Sequence, residues 1–115
     1  MAQTSTTLIG STVYDGSTTS LSSDSVKGDG YYSQPDGLHT VAYHVQSTFV
    51  GSIKMQGSLA TTPTDSDWFD IAGTSFTADG STLVSSYNFT GNFVWVRATV
   101  TGFTAGTINK ILYNN

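Results

Sequence analysis

The chain has 115 residues, no cysteine and a formal net charge of -4, with only 10% of its residues charged. One domain of this length must hold its core by apolar packing alone, because neither disulfides nor a thiolate metal site is available. Its four cations, Lys27, Lys54, Arg97 and Lys110, are dispersed, which excludes the clustered basic surface that nucleic-acid or anionic-membrane binding requires.

Glutamate is absent, and all eight acids are aspartates. Ordinary soluble domains carry roughly 25% charged residues, and here serine and threonine take that surface instead. Thr favours strands, Asp, Ser and Gly favour turns, and the missing Glu, Lys and Arg are the residues that build solvated helix faces. An all-β chain is expected.

Residues 1–7 are polar and read as an N-terminal arm, with the folded domain over 8–115. Met1–Ser5 has neither the basic nor the apolar region of a secretory signal, and no apolar run approaches the ~20 residues that span a bilayer. A soluble protein made inside a cell is expected. Leu8 to Tyr14 is a β-like run closed by Asp15-Gly16. Ser17 to Gly30 is polar, with one weak strand around Ser25-Val26-Lys27, and Gln34-Pro35-Asp36-Gly37 is a turn.

Strict alternation then begins. Val41, Tyr43 and Val45 alternate with Thr40, Ala42, His44 and Gln46, and Ile53 and Met55 alternate with Ser52, Lys54 and Gln56. With Ser47–Gly51 between them, these two strands read as a hairpin. A loop over Ala60–Ser66 leads to a short strand at Asp67–Ile71, and Asp79-Gly80 is a further turn. Leu83–Phe89, Phe93–Val100 and Thr107–Tyr113 are the last strands, joined at Thr90–Asn92 and Gly102–Gly106. No internal repeat is evident. Seven to eight short strands at this spacing predict a single antiparallel β-sandwich, jelly-roll or immunoglobulin-like, in preference to a small closed barrel.

Catalysis needs a nucleophile with a base in reach, paired carboxylates or a metal. The two histidines, His39 and His44, are five residues apart and point to opposite faces of one strand. No Gly-x-Ser-x-Gly elbow or phosphate loop is present. Asp65, Asp67 and Asp70 form the densest acidic cluster, but it lacks the glycine and terminal glutamate of a calcium loop, and Asp65 and Asp67 read as turn residues that end a loop. No catalytic, cofactor-binding or metal-binding residue is therefore assigned. Tyr31, Tyr32, Trp68, Trp95 and Tyr113 are candidates for a sugar platform, although aromatics in β-domains commonly join the core. Trp68 in particular reads as a core plug.

One strand points outward. In Phe93–Val100, Val94, Val96, Ala98 and Val100 lie on one face and Phe93, Trp95, Arg97 and Thr99 on the other. A strand exposed on one side has one polar face, so either Trp95 enters the core with the valines outside, or both sides are covered. The cover is either a neighbouring subunit or the Ser17–Gly30 segment. Phe93, Trp95 and Arg97 are accordingly a candidate subunit interface.

Phe49-x-Gly51-x-Ile53, Gln56-Gly57-Ser58-Leu59 and Asp67-Trp68-Phe69, followed by Gly91–Ala98 and Gly106-Thr107-Ile108, carry a resemblance. Over about residues 40–113 the chain resembles small β-sandwich virion proteins of tailed bacteriophages, particularly myoviruses that infect cyanobacteria. The resemblance implies a non-enzymatic capsid decoration or accessory protein located in the virion. Its implied partners are other virion subunits, and it is implied to form a homo-oligomer, often a trimer. A tail or baseplate accessory is the alternative within that class. A carbohydrate-binding module recognising a host surface glycan is the alternative outside it.

Overall fold

The computed structural model describes residues 6–27, 38–91 and 93–114. Among these residues eleven strands follow in chain order: β1 (Thr6–Ile9), β2 (Thr12–Val13), β3 (Leu21–Ser22), β4 (Val26–Lys27), β5 (Leu38–Val45), β6 (Val50–Ser58), β7 (Phe69–Asp70), β8 (Phe76–Thr77), β9 (Val84–Thr90), β10 (Trp95–Ala105) and β11 (Thr107–Asn114). Thr6 and Thr7, expected in the arm, belong to β1 and pair with Tyr113 and Leu112. The rest of the arm, Tyr31, Tyr32 and the Gln34–Gly37 turn lie outside the described residues.

All pairings are antiparallel, and the strands form two sheets. The first has the order β1–β11–β5–β9, with β2 also on β11. The second has the order β3–β10–β6–β7, with β4 also on β10 and β8 also on β6. Three pairs of short strands thus share a position each, which leaves eight positions. Their pairing is first with last, second with seventh, third with sixth and fourth with fifth. That is a long hairpin rolled on itself, the jelly-roll form of the sandwich.

This winding corrects the expected hairpin. β5 and β6 lie in different sheets, and the Gln46–Phe49 connection carries the chain across the core rather than back along a neighbour. Phe49 is buried at that crossing. The Gly102–Gly106 loop is corrected too. β10 runs on to Ala105 through a register shift, and Gly106 alone redirects the chain into the other sheet.

Alternation places the core as the period-2 pattern requires. Val41, Tyr43 and Val45 of β5 line the inner face of the first sheet, Ile53 and Met55 of β6 lie beside Val100 and Ala98 of β10 on the inner face of the second, and all are buried together with Val96. Each such valine, isoleucine or methionine side chain contributes roughly 1.5–3 kcal/mol when removed from water. Polar groups taken inside are bonded. The Tyr43 hydroxyl donates to the Thr74 carbonyl at 2.7 Å, and Thr74 Oγ1 donates to the Ile71 carbonyl at 2.7 Å. The same Oγ1 accepts from Met55 N–H at 3.1 Å, which pins the β7–β8 connection to β6.

Two crossings between the sheets use the same tetrapeptide, Asp-Gly-Ser-Thr, at 15–18 and 79–82. In the first, Asp15 Oδ1 accepts from the N–H groups of Ser17 and Thr18 at 2.9 and 2.7 Å, and Oδ2 accepts from Thr18 Oγ1 at 2.7 Å. Asp79 holds Ser81 and Thr82 through the same three bonds at 2.9, 2.7 and 2.7 Å. A short repeat is therefore present, and it does the same structural work at two opposite margins of the sandwich.

Candidate functional site

The valine row of β10 faces the core, so Trp95, Arg97 and Thr99 stand on the outer face of the second sheet. Antiparallel register sets Gln56 of β6 opposite Arg97, and Asp70 of β7 opposite Gln56. Their side chains form one chain of hydrogen bonds. Gln56 Oε1 accepts from Arg97 Nε at 2.9 Å and from Thr99 Oγ1 at 3.0 Å. Gln56 Nε2 donates to Asp70 Oδ1 at 3.0 Å, and Lys54 Nζ reaches Asp70 Oδ2 at 2.9 Å. The Gln56 and Lys54 bonds hold the Asp70 carboxyl below the usual carboxylate range. The Lys54–Asp70 ion pair is open to solvent and is worth at most about 1 kcal/mol.

Anchored through its Nε, the Arg97 guanidinium lies 4.3 Å from the centre of the Trp68 ring. A half-exposed cation over an indole gains about 0.5–1 kcal/mol. Trp95 Nε1 donates to the Thr61 carbonyl at 2.9 Å and ties the loop after β6 to the sheet. The result is an open hollow of about 380 Å³. Its floor is Trp68, Trp95 and Arg97, and its walls are Ser23–Ser25 on one side and Thr61–Pro63 on the other. This arrangement offers aromatic faces, hydroxyls, one carboxylate and one guanidinium to a docking surface.

The candidate interface is therefore divided. Trp95 and Arg97 share the hollow, but Phe93 does not join them. The chain bends at Val94, whose N–H donates to the Ser58 carbonyl at 3.0 Å, and β10 starts only at Trp95. Before that bend the alternation has no force. The Phe93 ring turns to the end of the core, 5.9 Å from His39 and 6.2 Å from Phe89, where the missing Cβ of Gly57 makes room for it.

Trp68 is not a core plug but the partner of Arg97 on the outer face. Tyr113 is the reverse case, buried in the core and so removed from any sugar platform. Residues 21–27 do not cover the outer face of β10. They pair along its edge as β3 and β4, and Ser23 donates its backbone N–H to Ala98 and accepts from Ala98 through its hydroxyl.

The histidines diverge as their spacing requires. His44 lies on the outer side of β5. His39 is 0% exposed and stacks on Phe89 with ring centres 4.9 Å apart. Of the acidic cluster, Asp67 closes a short 3₁₀ turn, Asp65–Asp67, by accepting from the Thr64 N–H at 2.8 Å, and Asp70 serves Lys54 and Gln56. Asp67 is thus a turn residue, and it precedes the strand at 69–70 rather than opening it.

Lys54 and Gln56 were not singled out in the sequence, and Asp70 was noted only as a member of the acidic cluster. The alternation around Ile53 and Met55 places Lys54 and Gln56 outward, but nothing local signals that β10 and β7 flank them. The fold and this face define the chain as a jelly-roll β-sandwich with an aromatic and arginine-lined hollow on one sheet. No protein-family model matches the chain, and no curated protein matches it.

Proposed function

We propose that the chain is a non-enzymatic structural protein of a bacteriophage virion, a capsid decoration or accessory subunit that packs against other virion proteins. The observation that carries this reading is the outer face of the second sheet. Trp95 and Arg97, both half-buried, are fixed there by Thr61 and Gln56 beside an open hollow. Indole and guanidinium groups held in place lose little entropy on docking, and they anchor protein interfaces more often than other side chains. The resemblance over residues 40–113 and the low surface charge support the same reading. The jelly roll recurs in viral capsid domains, which is support by analogy of fold.

Purified particles carrying a labelled copy, viewed by electron microscopy, test the proposal. Ordered label on the particle surface that is lost with Trp95→Ala supports it. A protein absent from particles overturns it. Glycan binding is the second reading, favoured by two tryptophans meeting Asp24 and Arg97 around one hollow. It predicts a shift in tryptophan fluorescence on adding oligosaccharides, abolished by Trp68→Ala.

A further inference from the structure

The margins of the two sheets differ in kind. β1 and β2 are separated by Gly10-Ser11, β3 and β4 by Ser23–Ser25, and β7 and β8 are two residues each. Natural sheets blunt their margins in this way, with short strands, bulges, charges or prolines, because a continuous margin is a template for another strand. β9 is the exception. It runs seven residues, Val84–Thr90, without a charge, a proline or a glycine.

Its free groups follow from one bond. Val45 N–H donates to the Leu83 carbonyl at 2.9 Å, so Leu83 turns its backbone toward β5. In an antiparallel ladder every second residue does the same. Ser85, Tyr87 and Phe89 therefore bond to β5, and Val84, Ser86, Asn88 and Thr90 aim N–H and C=O outward. Among the described residues no backbone hydrogen bond reaches that outer side. The side chains of the same four residues are exposed, and Leu83 and Val84, at 47% and 56% exposure, place apolar surface beside them.

We propose that β9 is a self-association edge, at which two copies of this chain pair antiparallel across a two-fold axis to make one continuous sheet. With the axis at Tyr87, Val84 faces Thr90 of the second copy and Ser86 faces its Asn88. Each of the four outward residues then finds a backbone partner. Two features select a second copy over a foreign strand. A charge-free strand opposes no like charges when it meets itself. A two-fold pair also closes both β9 edges at once, whereas a foreign strand would leave its own outer side open. This surface lies on the first sheet and the Trp95 hollow on the second, so the inference holds independently of the virion reading.

Light scattering coupled to size exclusion tests it on the full chain. The native protein is expected at twice the monomer mass of 12.2 kDa. Ser86→Pro removes an outward N–H while leaving the β5 ladder intact, the position at which an edge strand tolerates proline, and it is expected to halve the mass. Ser86→Lys sets two lysines diagonally across the axis and is expected to do the same. If Ser86→Pro loses its β-sheet circular dichroism, Ser86→Lys decides. A native protein that is monomeric at every accessible concentration overturns the proposal. So does a folded variant that keeps the native mass.

Discussion

Tyr113 Oη stands 2.8 Å from His39 Nδ1, and the pair joins β11 to β5 inside the core. On its other side the His39 Nε2 hydrogen is donated to the Gly91 carbonyl at 2.9 Å, so Nδ1 accepts from the tyrosine hydroxyl. Tyr113→Phe keeps the ring packing but leaves that buried nitrogen without its hydroxyl donor. A loss of about 1–3 kcal/mol is expected, read from the midpoint of urea unfolding.

The aspartates of the two Asp-Gly-Ser-Thr turns should set the acid limit of stability. The backbone N–H of Thr18 is the main cause holding the Asp15 carboxyl down at about 2, and that of Thr82 holds Asp79 lower still. Both are depressed in the fold, so their stabilisation is complete above the ordinary carboxylate value of 3.8. It disappears as pH falls through the folded values. Melting temperature measured between neutrality and strong acid should drop below that point, and Asp15→Asn with Asp79→Asn should flatten the drop. A wild-type profile that stays level to the lowest pH would contradict this account.

Gly106 is the single residue between β10 and β11. Its φ is +87°, and a Cβ there would run into the backbone of Thr48 and Phe49. Gly16 has nearly the same φ, +93°, with open space around it. Gly16→Ala should cost about 1 kcal/mol from conformation alone. Gly106→Ala should cost about 1–3 kcal/mol more, because strain and overlap add. Thermal melts of the two variants side by side check the ranking.

Dividing the chain between the exposed residues Thr61 and Thr62 separates β1–β6 from β7–β11. Among the described residues every strand pairing joins one of these groups to the other. Neither fragment contains a ladder of its own among those residues, so each alone should give a random-coil circular dichroism spectrum. An equimolar mixture should recover the β signal. Stable β structure in either fragment would refute the expectation.

What the sequence conveyed was local and periodic. Val41, Tyr43 and Val45 announced a strand and its buried side, and by the same parity His39 could have been placed inside with them. The turns at Asp15-Gly16 and Asp79-Gly80 were equally plain, but the Asp-Gly-Ser-Thr tetrapeptide that they share was overlooked. Pairing was not legible, because a rolled hairpin joins residues such as Thr6 and Tyr113 that share no local signal. The candidate site suffered from the same limit. Trp95 and Arg97 were found through alternation, whereas Phe93 was misplaced because the bend at Val94 breaks the period just before it. Trp68 was misread because its ring meets Arg97, a partner on a strand distant in sequence.

The interior position of β11 has a consequence for biosynthesis. Among the described residues β1 and β2 reach the rest of their sheet only through β11, so translation must proceed through Tyr113, the partner of Thr6, before both N-terminal strands can dock in full. Until then the nascent polypeptide holds unsatisfied strands that cannot be resolved by sequential, hairpin-by-hairpin assembly. Such dominance of distant contacts slows folding, and it makes the ribosome-bound stage the period when the protein is most open to aggregation.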